Sequence, residues 1–160
     1  MILTERELER LGEAVGRTVE PPVVLALRGE LGAGKSVLAR AVARGAGVEG
    51  TLPSPTFNLV FRYEGRDGVP VVHMDLYRLS RPEEVWELGW EELDREPSIV
   101  LVEWPERAEA LLASDRWDVL LRTVPGDPGL REVELVRVGR PPALVLPGPP
   151  GSRRGGREAP

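Results

Sequence analysis

"VVLALRGELGAGKSVLAR", residues 23–40, is the stretch that decides the fold. Val23 to Leu27 is an unbroken apolar run of strand length, as suits a parallel strand buried on both faces. Gly29 to Gly34 reads as a loop. From Lys35 to about Ala46, the spacing of Val37, Leu38, Ala41 and Val42 is helical. Gly29 through Ser36 fits G-x-x-x-x-G-K-[ST], in the strand–loop–helix context this phosphate-binding motif requires. Its glycines let successive backbone N–H groups turn toward phosphate oxygens. The helix N-terminus adds further donors and a favourable dipole. Lys35 is the only lysine among 21 basic side chains. A chain that otherwise uses arginine keeps a compact ammonium where the β- and γ-phosphates belong, a place that arginine's planar fork fits poorly. Ser36 supplies a hydroxyl for Mg²⁺.

Working outward, Thr4 and Glu7 predict a capping box that opens a helix over residues 4–16, with Leu8, Leu11 and Val15 on one face. Pro21-Pro22 ends that pattern. "TLPSPTF", 51–57, is an irregular segment with two prolines. "NLVFRY" predicts a strand, Gly65 to Gly68 a turn, and "VPVVHM", 69–74, a second apolar strand ending at Asp75. Ser80 and Glu83 predict another capping box and a helix to about Leu88. "SIVLVEW", 98–104, is a third buried strand, ending at Glu103, and "PERAEALL" a short helix opened by Pro105. "WDVLLRTV" and "LREVELVRV" flank "PGDPG" and predict an antiparallel hairpin with a loop of several residues. The expected fold is α/β: a single P-loop NTPase domain over residues 1–140, with a largely parallel central sheet, flanking helices and a C-terminal hairpin. Residues 141–160, rich in Pro, Gly and Arg, predict a disordered tail.

With 160 residues, 41% hydrophobic and 29% charged, the chain suits one globular domain with a full core. A net charge of -5 argues against nucleic-acid binding by bulk charge. The chain has no cysteine, which excludes disulfides and thiolate metal sites. "MILTERELER" places charges where a signal peptide needs an apolar core, and no apolar run approaches membrane-span length. The expectation is a cytoplasmic protein with no membrane role.

A P-loop needs a carboxylate for Mg²⁺ at the end of a neighbouring strand. Asp75 and Glu103 both end buried strands, and either could reach the carboxyl edge where α/β proteins bind ligands. Guanine-specific P-loop proteins usually carry Asn-Lys-x-Asp, which a chain whose only lysine is Lys35 cannot contain. ATP is therefore the favoured nucleotide.

"GELGAGKS", "SPTFNLVFRY", "HMDLYRL", "ELGWEE" and "VLVEWPERA", in this order and spacing, resemble the TsaE (YjeE) family over residues 4–138. That resemblance implies a bacterial P-loop ATPase of the tRNA threonylcarbamoyl-adenosine modification machinery. It implies ATP and Mg²⁺ as cofactors and TsaD and TsaB as partners, with tRNA approached indirectly. Carried onto this chain, it implies phosphate binding by the loop from Gly29 through Gly32, Ala33, Gly34, Lys35 and Ser36. It implies Mg²⁺ at Ser36 and Glu103, and Asp75 orienting water or the metal shell. Thr56 would sense the γ-phosphate from a switch-like loop, and Thr4 would contact the nucleotide. The catalytic set is then Lys35, Asp75, Glu103 and Thr56. Many members have a second threonine where this chain has Val37.

His73, two residues before Asp75, reads as a packed sheet residue with a catalytic base as the alternative. Trp104 suits either the core or a place near the nucleotide or partner, and Arg78 a phosphate or partner contact with a solvated charge as the alternative. Trp86 and Trp90 read as helix packing, and Arg153, Arg154 and Arg157 as solvated tail. Two other functions compete. One is a small-molecule P-loop kinase with residues 76–95 as its lid. The other is a nucleotide-dependent scaffold without productive hydrolysis.

Overall fold

The computed structural model describes residues 1–53 and 59–147. Its strands are β1 (Ile2–Thr4), β2 (Val23–Arg28), β3 (Val60–Glu64), β4 (Pro70–Asp75), β5 (Ile99–Glu103), β6 (Arg116–Val124) and β7 (Asp127–Val138). Its α-helices are α1 (Glu5–Thr18) and α2 (Lys35–Gly45). The strands form one sheet in the order β1-β7-β6-β2-β5-β4-β3.

The parallel part of the sheet is its centre. β2 pairs in parallel with β5 and β6, and β4 pairs in parallel with β5. Antiparallel strands flank it, with β3 beside β4 on one side and β7 and β1 on the other. Strand β1 falls within the first four residues, too short for periodicity to reveal. It is held by pairing with β7 and by reciprocal Met1–Val133 backbone bonds of 2.7 and 2.8 Å.

Central strands are buried on both faces. Leu25, Leu27, Val71, Ile99 and Leu101 pack under α1 and α2. Val72, Met74, Val100 and Val102 face the opposite layer, with Leu76, Leu79, Val85 and Ala108. That layer is built on 3-10 helices, Pro82–Leu88, Trp90–Asp94 and Pro105–Leu111; the first and third are where helices were expected, and the second adds a turn between them.

The Thr4–Glu7 capping box forms as expected. The Thr4 hydroxyl accepts from the Glu7 N–H at 3.3 Å, and the Glu7 carboxylate accepts from the Thr4 N–H at 2.9 Å. Helix α1 buries Leu8, Leu11 and Val15 and lies tightly on α2. A Cβ at Gly16 would run into the Val42 carbonyl, so only glycine permits this approach. The Ser80–Glu83 box does not form. Pro82 starts its helix with Arg81 as the N-cap, so Ser80 stands one residue too early. The Ser80 N–H points instead to the Glu84 carboxylate at 3.4 Å. The hairpin turn is also tighter than expected. β6 runs to Val124 and β7 begins at Asp127, with a register shift at Thr123/Val124 absorbing the irregularity.

Contacts continue past Arg140. The Trp117 indole donates to the Pro142 carbonyl at 2.8 Å, Arg137 donates to Pro141 at 3.1 Å, and Leu144 packs against the main core. Residues 148–160, including Arg153, Arg154 and Arg157, lie outside the described residues.

Candidate active site

The loop after β2 is built to curl. Gly34 caps α2 with φ 100°, a left-handed conformation that favours glycine. A Cβ there would also meet Leu8 Cδ2 at 2.9 Å. The strand end feeding the loop is clamped. Arg28 bonds Glu109 through two 2.8 Å contacts and Asp118 at 3.1 Å, while Arg116 joins the same two acids at 3.3 and 2.8 Å. The Thr123 hydroxyl donates to Glu30, tying the loop to β6.

Lys35 opens α2, and its side chain folds back over the loop. Its ammonium donates to the Gly29 carbonyl at 2.6 Å and the Glu30 carbonyl at 2.8 Å. It also lies 3.8 Å from the centroid of the Trp104 ring. Burial pushes the ammonium below lysine's ordinary range, opposed by the carboxylates of Glu103, Glu106, Asp75 and Glu30.

The acids come from β4 and β5. Asp75 and Glu103 are register partners, and Glu103 also pairs with Leu27 at the end of β2. Side-chain alternation puts His73, Asp75 and Glu103 on the α2 side of the sheet. Glu103 is 2% exposed, and both its oxygens are engaged. Ser36 Oγ donates to Oε2 at 2.8 Å, and His73 Nε2 lies 2.7 Å from Oε1. Burial is the main cause raising Asp75 above the usual aspartate value. The Glu103 charge adds to this, while the Tyr77 N–H, donating at 3.0 Å, works against it.

Trp104 adopts a left-handed conformation, φ 56° and ψ 48°, immediately after Glu103. A non-glycine residue there is strained. Its ring packs on Tyr77 at a centroid distance of 4.8 Å, so it serves both the second core and the Lys35 wall.

These groups line a cleft of about 390 Å³ that also takes in Glu5, Leu8, Gly32, Arg78 and Arg131. Of the expected site residues, Lys35, Ser36, Asp75 and Glu103 converge there, with Gly32 and Gly34. Gly29 contributes its carbonyl to Lys35, and Ala33 is fully buried beneath the loop. Thr4 commits its hydroxyl to the capping box, while Glu5 and Leu8 line the cleft. Thr56 lies outside the described residues. Sequence reasoning missed Arg131, whose approach to the loop depends on the pairing of β7. The His73 contact with Glu103 was within reach, because two-residue spacing already put His73 on the Asp75 face.

The donor set suits Mg²⁺. Ser36 Oγ and the Glu103 carboxylate are hard oxygens already in contact, with the Asp75 carboxyl in the same cleft. Among the described residues, no group of three or more His, Cys, Asp or Glu could hold a metal by itself. Mg²⁺ commonly takes only one or two protein carboxylates and completes its shell with phosphate and water.

Residues 2–127 match the family model described as "Threonylcarbamoyl adenosine biosynthesis protein TsaE". The chain belongs to the TsaE family. It is 40% identical over 130 residues to the tRNA threonylcarbamoyladenosine biosynthesis protein TsaE of a Nostoc species, covering 78% of this chain and 76% of that one. The Bacillus subtilis protein of the same description is 33% identical over 134 residues, covering 83% and 81%. The crystal structure of Bacillus subtilis YdiB has the same fold, with a TM-score of 0.70 and 28% identity, covering 87% of this chain and 84% of that one. This TsaE-family chain has, among its described residues, no helix long and apolar enough to cross a membrane.

Proposed function

We propose that this TsaE-family chain is a Mg²⁺-dependent ATPase that drives tRNA threonylcarbamoyladenosine formation together with TsaD and TsaB. The observation that carries the reading is the convergence of Lys35, Ser36 and Glu103 at the phosphate-binding loop. In this reading the loop amides and the α2 N-terminus bind the β- and γ-phosphates. The Lys35 ammonium, within reach of the loop mouth, counters the charge that develops on the transferred phosphoryl group. Ser36 and Glu103 would hold Mg²⁺, which neutralises phosphate charge when bound. His73 fixes the carboxylate plane of Glu103. Asp75, a half-buried carboxyl raised above its ordinary value, accepts a hydrogen bond from the attacking water and orients it. The Tyr77–Trp104 pair walls that end of the cleft.

The test is phosphate release by the purified chain with Mg–ATP, alone and with TsaD and TsaB. Slow release that the partners accelerate supports the proposal. Binding of ATP with no phosphate release under either condition would leave a scaffold. Multiple turnover on a small acceptor without partners would identify a kinase.

A further inference from the structure

Beyond Leu27 and Glu103, the last positions at which β2 pairs with β5, the two strands part into separate arms. One arm is Arg28, Gly29 and the phosphate-binding loop. The other is Trp104 and the 3-10 helix Pro105–Leu111. Lys35 touches both. Its ammonium donates to the Gly29 and Glu30 carbonyls at 2.6 and 2.8 Å and lies 3.8 Å from the Trp104 ring centroid. The place of this buried ammonium therefore depends on how far apart the arms are held.

Beside the loop the arms are tied by charge. Side-chain alternation points Arg28 away from the Leu27 face, toward the layer of 3-10 helices. There Nη1 and Nη2 donate to the two oxygens of Glu109, both at 2.8 Å, and Nε donates to Asp118 at 3.1 Å. Arg116 closes the network on both acids, at 3.3 Å to Glu109 and 2.8 Å to Asp118. A bidentate pair of this kind fixes orientation as well as distance. Arg28 carries Gly29, whose backbone is pressed against β6: a Cβ there would stand 2.3 Å from the Leu121 carbonyl oxygen. The path is closed. It runs from Glu109 to Arg28, through the Gly29 carbonyl to Lys35, and from Trp104 back along its helix to Glu109. As a stabilising element alone the pair has little to offer. The Glu109 side chain is 50% exposed, and ion pairs that reach solvent contribute little.

We infer that Glu109 is a positioning residue for Lys35: through Arg28 it sets the spacing between the loop and the Trp104 arm, and so the place from which the ammonium meets a phosphate. The inference rests on the phosphate-binding reading above and adds to it a residue outside the cleft lining.

The test is nuclear magnetic resonance of the full chain, isotope-labelled at lysine. Lys35 is the only lysine, so one side chain reports. An aromatic face shifts the protons above it upfield, so the Lys35 Hε signal should lie upfield of free lysine. E109Q keeps the shape of the side chain, but glutamine accepts at one oxygen only and turns its NH2 toward a guanidinium donor. In E109Q the signal should move toward the free-lysine position. Phosphate release from Mg–ATP should fall about 2- to 5-fold, the scale of a half-exposed ion pair. R28M should do at least as much, and E109Q in the R28M background should add nothing further. Thermal unfolding of each variant is the fold control, and E109Q decides alone if R28M fails to fold. An unmoved Lys35 signal in E109Q, an unchanged release rate, or additive effects in the double variant would overturn the inference. If the Lys35 signal of the unaltered chain ignores Mg–ATP and no phosphate is released, the phosphate-binding reading falls and takes the inference with it.

Discussion

Replacing Glu103 by glutamine separates the metal's contribution from that of the loop. The substitution keeps shape and volume at a position that is 2% exposed, so no cavity opens. One anionic oxygen is lost. Ser36 Oγ, now donating to Oε2 at 2.8 Å, can rotate to accept from the new amide, and the 2.7 Å contact with His73 can persist on the remaining carbonyl. One rearranged hydrogen bond costs about 1 kcal/mol, or roughly 2–4 °C in a domain of this size. Catalysis should suffer far more. Metal-assisted charge stabilisation is worth several kcal/mol, and losing about 3–4 kcal/mol slows turnover by about 10²- to 10³-fold. Two measurements decide the case: phosphate release at saturating Mg–ATP, and ADP binding in the presence of a chelator. The first should collapse while the second holds, because the loop amides remain in place. A release rate within about threefold of the unaltered protein, less than 1 kcal/mol of barrier, would refute the assignment of Glu103. Parallel loss of metal-free ADP binding would show that Glu103 shapes the loop rather than holding the metal.

Lys35→Arg should abolish hydrolysis in the same assay, since two carbonyls and the Trp104 face hold a compact ammonium where a planar fork does not fit. Gly34→Ala should weaken ATP binding at least tenfold in calorimetry, as both the positive φ and the Leu8 contact oppose a Cβ. The Asp75 carboxyl is raised in the fold, so its contribution to stability is complete below the ordinary aspartate value and is lost as pH rises through the raised value. Asp75→Asn escapes that loss. Its urea midpoint should exceed the unaltered protein's at neutral pH and match it in acid. Truncation after Arg140 removes the Trp117–Pro142 bond and the Leu144 packing, at a cost of about 1–3 kcal/mol in chemical denaturation. Truncation after Leu146 should cost almost nothing.

How far the sequence could be read follows from the range over which each signal acts. The strand–loop–helix at residues 23–40 was legible because its motif, apolar run and helical spacing are local. The acids were legible because a buried strand that ends in Asp75 or Glu103 can only present them at its carboxyl edge. Failures came where a second element decides. Ser80 and Glu83 have capping-box spacing, but Pro82 fixes the helix start one residue later. Strand β1 exists only because β7 runs beside it. The alanine, leucine and valine near residue 144 carry no period, yet Leu144 packs against the core two residues after the Trp117–Pro142 bond. Arg131 is the sharpest case. In the sequence it is one of many arginines, on a strand of alternating polarity, 96 positions from Lys35. Only the order β2-β6-β7 brings it over the loop, because β6 returns beside β2 and its tight turn lays β7 along the same edge. A local motif can therefore reveal one wall of such a cleft, while the wall that Arg131 supplies is written in the strand order.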